Sequence, residues 1–74
     1  MTELLDITGE LCPMTFVRVR LALDRLTPGT LLQVRLAGEE PALNVPRTLV
    51  EQGHTVLSQS EGPEGTMTLL VRKA

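Results

Sequence analysis

The sequence contains one thiol, Cys12, set in the run Gly9-Glu10-Leu11-Cys12-Pro13. A thiol reacts as its thiolate, and a free cysteine, with a pKa of about 8.5, is ionised only to a small extent at neutral pH. Its place in this run bears on that balance. Proline suits the first position of a helix, where its fixed φ fits and its missing N–H would have had no partner. The residue before a proline avoids the helical region, so Cys12 is expected to be extended, at the N-cap. The first-turn amides of a helix lack acceptors, and the helix dipole adds roughly half a positive charge there. Such a position brings the amides of Met14, Thr15 and Phe16 within reach of the sulfur. The same amides would hold the terminal sulfur of a persulfide, itself an anion. Arg18 and Arg20 follow within two turns, as electrostatic support or as part of a docking surface.

The residues alone leave two readings open. A single cysteine is often a small buried hydrophobe, and on that reading the chain is an interaction or regulatory module, or carries a redox-sensing thiol. On the other reading Cys12 is a nucleophile. The polar Gly9-Glu10 turn and the proline favour an accessible sulfur. His54, the single imidazole, reads as a polar residue opening a strand, because nothing in the sequence links it to Cys12.

The elements that must position Cys12 follow from hydrophobic periodicity. Leu4 to Ile7 reads as a first strand. Pro13 to about Leu26 reads as a helix, with Phe16, Val19, Leu23 and Leu26 on one face, Ala22 beside them, and Val17 and Leu21 as a flanking apolar pair. Thr27-Pro28-Gly29 stops it. Leu31 to Leu36 alternates as a half-buried strand, with Leu32, Val34 and Leu36 inward. Gly38 to Asn44, with Glu39 and Glu40, reads as a loop. Pro46 opens a second helix that runs to about Gln52, its apolar side formed by Val45, Leu49 and Val50, and Gly53 is its C-cap. His54 to Ser58 is a short third strand. Glu61 to Gly65 is a turn, and Thr66 to Arg72 a fourth strand with Met67, Leu69 and Val71 inward.

The order is therefore βαβαββ. The predicted architecture is a two-layer α/β sandwich, with both helices on one face of a four-stranded mixed sheet and the opposite face, carrying Gln33, Arg35, Thr66, Thr68 and Arg72, turned to water. Residues 1–74 are expected to form a single domain. One cysteine excludes an internal disulfide, and no Cys and His set has metal-ligand spacing, so the core must be aliphatic; the composition is 42% hydrophobic with Phe16 the single aromatic. A net charge of -2 argues against direct nucleic-acid binding, and one aromatic cannot form a stacking platform. No apolar run approaches a membrane span. Residues Met1 to Ile7 include Glu3 and Asp6 and do not resemble a signal peptide, so a cytoplasmic setting is expected.

The run from Leu5 to Pro13 resembles the opening of the TusA/SirA-like sulfur carriers. Thr27-Pro28-Gly29, Asn44-Val45-Pro46, Gly53-His54 and the closing Arg72-Lys73 are similar as well, so the resemblance spans essentially the whole chain. It implies a βαβαββ sandwich like the C-terminal domain of translation initiation factor 3. It also implies that Cys12 accepts sulfane sulfur as a persulfide, with Pro13 as the motif proline. The sulfur would pass to a partner in tRNA thiolation, cofactor synthesis or sulfur metabolism. Partners on this view are a cysteine desulfurase or another sulfur donor and a downstream acceptor protein; no cofactor or metal is implied, and the carrier is expected to be a monomer. The usual motif is Cys-Pro-x-Pro. Here Cys12-Pro13-Met14-Thr15 has threonine for the second proline, which restores a backbone N–H in the first turn and adds a hydroxyl.

Overall fold

A computed structural model describes residues 2–10 and 14–74. Leu11, Cys12 and Pro13 lie outside the described residues, and with them the expected N-cap and the proline at the helix start. The elements are β1 (Thr2–Asp6), α1 (Met14–Asp24), β2 (Leu31–Ala37), α2 (Glu39–Glu51), β3 (Thr55–Glu61), a 3-10 turn at Pro63–Gly65, and β4 (Thr66–Arg72). They form one sheet of order β1-β2-β4-β3. β1 runs parallel to β2, and β4 is antiparallel to both β2 and β3. Each helix thus links strands of the same direction, and β4 fills the space between β2 and β3.

Alternation decides which face is covered. Leu32, Val34 and Leu36 of β2 and Leu69 and Val71 of β4 are buried, whereas Gln33, Arg35 and Arg72 between them are exposed. Onto the buried face pack Val19 and Leu23 of α1 and Val45 and Leu49 of α2, closing one core with Ile7. Phe16, Leu26 and Met67 pack at its margin, half-buried rather than central. Both helices lie on this one face. α1 ends two residues earlier than its periodicity predicts, because the amides of Arg25 and Leu26 tighten onto Ala22 and Leu23 three residues back. The Lys73 ammonium then donates to the Leu23 carbonyl at 2.7 Å, satisfying the negative end of the helix from the end of β4.

The second helix corrects the expectation that Gly38 to Asn44 is a loop and that Pro46 opens the helix. α2 begins at Glu39, and Pro46 sits inside it. Three features reconcile the prolines with a helix. Pro41 falls in the first turn, where an N–H has no partner to lose. Glu39 and Glu40 occupy the same turn, where negative charge meets the positive end of the dipole. Pro46 removes one backbone bond, and just beyond it the Thr48 hydroxyl donates to the Asn44 carbonyl at 2.9 Å. Pro41, Val45, Pro46 and Leu49 form the buried side, while Val50, assigned to the apolar side by its position near Leu49, is 60% exposed. Gly53 closes the helix as expected: at φ 92° it donates to Val50, and the His54 amide donates to Leu49.

β3 is longer than expected, extending to Glu61, with Leu57 as the extra residue of a bulge between Val56 and Ser58. The turn into β4 is held by Gly62 donating to the Thr66 carbonyl and by the Thr66 hydroxyl donating to the Pro63 carbonyl.

Candidate functional site

The register places three features at one end of the sheet. β1 ends at Asp6 opposite Arg35, β2 ends at Ala37 opposite Thr66, and β3 ends at Glu61 opposite Met67. The exit of β1, the start of α2 and the β3–β4 turn therefore share that end. The turn at residues 8–10 and the beginning of α1, between which Cys12 falls in the sequence, are found there too.

Local hydrogen bonds shape the approach to this stretch. The Asp6 carboxylate accepts from the Thr8 amide at 3.0 Å and from the Thr8 hydroxyl at 2.8 Å, and the Glu10 amide donates to Ile7 at 3.0 Å. The bond from the Thr8 amide, then that from its hydroxyl, holds the Asp6 carboxyl below its ordinary value of 3.8, with the Arg35 charge adding to the effect. A carboxyl depressed in the folded state stabilises the fold above its unfolded value, and the contribution is lost as pH falls through the folded value. Asp6→Asn should therefore lose less stability than the wild type between neutral pH and about pH 3. Urea unfolding midpoints at the two pH values give the comparison; equal losses in both proteins would show that the turn does not depend on the charge.

On the far side of Cys12, α1 presents its first turn. The positions four residues before Met14, Thr15 and Phe16 precede the helix, so α1 itself supplies no acceptor for their amides. Met14 is exposed, Phe16 is half-buried against the core, and Thr15 is fully buried. The two candidate arginines diverge. Arg18 lies 3.8 Å from Glu10 across the Cys12 stretch, an exposed pair worth no more than about 1 kcal/mol. Arg20 instead lines a small hollow of about 80 Å³ between α1 and α2, with Phe16, Asp24, Gln52 and His54. That space is well below the few hundred Å³ of an ordinary small-molecule site. His54 is occupied structurally: its Nδ1 accepts from the Ala74 amide at 3.0 Å.

Two features escape a reading by residue type. Thr15 is buried at 0% exposure, and its hydroxyl has no hydrogen-bond partner among the described residues. Its spacing, four before Val19 and eight before Leu23, is the signal that could have found it. The second is a shallow, open hollow of about 430 Å³ at the same end of the sheet, bordered by Glu39, Glu61, Glu64 and Met67. Glu39 and Glu61 are far apart in sequence, and the pairing of β4 with both β2 and β3 brings them together. Among the described residues no three His, Cys, Asp or Glu side chains are grouped to hold a metal, and no helix is long and apolar enough to cross a membrane.

Fold and helix entry together define a class of small two-layer sandwich, with two helices packed against a four-stranded mixed sheet and one helix N-terminus following a Cys-Pro pair. A SirA-like protein of Desulfitobacterium hafniense has the same fold, with a TM-score of 0.81 over 97% of this chain and 96% of that one at 20% identity. The profile of the family described as Sulfurtransferase TusA matches residues 3–73. An Archaeoglobus fulgidus protein named "Putative sulfur carrier protein" is 38% identical over 71 residues, covering 96% of this chain and 81% of its own. A Thermotoga maritima protein of the same name is 36% identical over 63 residues, covering 84% of this chain and 80% of its own. The chain belongs to the TusA sulfurtransferase family, and is a TusA/SirA-like sulfur carrier by family.

Proposed function

We propose that the protein carries sulfane sulfur as a persulfide on Cys12 and relays it between two protein partners. The observation that supports this most directly is the start of α1 two residues after the lone cysteine, with first-turn amides that α1 does not use. Those amides and the dipole favour an anion next to them, which is the charge state of both the thiolate and the persulfide.

The transfer needs no redox partner. The Cys12 thiolate attacks the outer sulfur of a donor persulfide; the new S–S bond forms as the old one breaks, and the donor leaves as a thiolate. The product persulfide on Cys12 gives up its outer sulfur to an acceptor thiolate by the same step in reverse. Sulfane sulfur changes hands, and one thiolate is consumed and one released each time. A cysteine desulfurase suits the donor role, and the acceptor is a protein thiol in tRNA thiolation, cofactor synthesis or sulfur metabolism. Met14, Val17 and Leu21 stand exposed along α1 beside Arg18. An apolar strip with a cation at its edge is suited to contact with a protein surface rather than a small substrate.

Incubation with a sulfur-loaded cysteine desulfurase should raise the intact mass by about 32 Da, one sulfur atom. The thiol should titrate below the range of a free cysteine. A chain that takes no sulfur from several donors and titrates as free cysteine does would be an interaction module rather than a carrier.

A further inference from the structure

We propose that the free edge of β1 pairs with β1 of a second copy of this chain, joining the two sheets about a twofold axis, rather than the monomer that the resemblance implies. The Ile7 amide donates to Arg35 of β2 at 2.8 Å. By the alternation of a strand, Leu5 and Glu3 also turn their backbone groups toward β2, while Thr2, Leu4 and Asp6 turn theirs outward along the edge. Antiparallel pairing centred on Leu4 sets Leu4 against Leu4 of the copy and Thr2 against Asp6 of the copy. Every outward N–H and C=O of the strand then has a partner. The side chains fit the same register. Leu4 is 74% exposed, beside Gln33 on the uncovered face. Edge strands are commonly guarded by lysine, proline or a bulge, and β1 has none of these. The axis covers each Leu4 with the other. Glu3 stands against Leu5 of the copy, on the face that α1 covers. Leu5 there borders a hollow that it shares with Arg18, Arg25 and the exposed Leu21. Each Glu3 carboxylate is thus brought toward two guanidinium groups of the other chain. Among the described residues neither Glu3 nor Arg25 is in an ion pair, and no like charges face each other across the paired strands. The strands run in opposite directions, so the chain leaving each β1 toward Cys12 falls at opposite ends of the joint. An interface centred on one short strand is at the small end of specific contacts, so the dissociation constant should be on the order of 100 μM. At micromolar concentration the edge is then open.

The experiment is sedimentation equilibrium of the whole chain under reducing conditions, from about 10 μM to about 1 mM. The mass should rise from that of the monomer toward twice that value. Leu4→Lys, which sets two cations against each other on the axis, should weaken dimerisation about tenfold or more. Glu3→Arg should weaken it about tenfold, and Arg25→Glu added to Glu3→Arg should bring it back toward the wild type. All three positions are exposed, and circular dichroism of each variant checks the fold. One measurement needs no variant. In a sample mixed from isotope-labelled and unlabelled chains, the α-protons of Glu3 in one chain and Leu5 in the other should show a direct contact, since these two form the close, non-hydrogen-bonded pair of this register. A monomer mass throughout overturns the proposal. A dimer that Leu4→Lys leaves intact, or one without that α-proton contact, also overturns it, because the copies then meet on another face or in another register.

Discussion

Cys12→Ser is expected to abolish sulfur acceptance completely while leaving the fold intact. The chain has a single cysteine, so a mass gain in the wild type can be assigned to one atom. Serine keeps the size and the hydrogen-bonding capacity of the side chain, but its hydroxyl is not ionised at neutral pH and does not form a persulfide. The first-turn amides of α1 remain in the variant, so the loss would trace to the nucleophile rather than to the anion site. Intact mass after exposure to a loaded donor should show about 32 Da in the wild type and nothing in the variant. Circular dichroism should superimpose. A variant that still relays sulfur from donor to acceptor would mean that the chain works as a scaffold between its partners and carries nothing itself.

The largest expected effect on stability belongs to Leu23→Ala. Leu23 is buried at 2% exposure in the core between α1 and the sheet. Truncating a buried leucine costs about 2–5 kcal/mol, the spread reflecting how far the cavity collapses. Seventy-four folded residues have a total stability of only about 4–11 kcal/mol. The variant should therefore be severely weakened or unfolded at room temperature, seen as an early or absent urea transition. A loss below about 0.5 kcal/mol would mean the side chain is not packed where the structure puts it.

Periodicity made most of this fold legible. The stripe from Phe16 to Leu26 and the alternation at Leu32, Val34, Leu36 and at Met67, Leu69, Val71 determine which sides face inward, and the structure buries most of these side chains and half-buries Phe16, Leu26 and Met67. α2 was less legible because its first half contains the residue types of a turn. Pro41 costs nothing in a first turn, and at Pro46 the burial of Val45 and Leu49 outweighs a missing backbone bond. Neither trade is visible to local propensity, which knows nothing of the sheet beneath. Thr15 was hidden differently. Its spacing was that of a core residue, but its hydroxyl marked it as a first-turn polar group. The run around Cys12-Pro13 made the family legible, while the expected N-cap lies outside the described residues. The divergence of Arg18 from Arg20 required three dimensions: two residues apart on a helix lie nearly opposite each other, one toward Glu10 and one toward α2.

β1 is an edge strand. Its backbone pairs only with β2, over Thr2–Asp6, and most of its side chains are exposed. β2 and β4, by contrast, each have a neighbour on both sides. Just past β1, Ile7 is buried in the core and its amide donates to the Arg35 carbonyl at 2.8 Å, so any opening of the edge strand is confined to the residues before it. Under native conditions the amides of β1 should exchange with solvent deuterium well before those of β2 and β4, through a local opening rather than global unfolding.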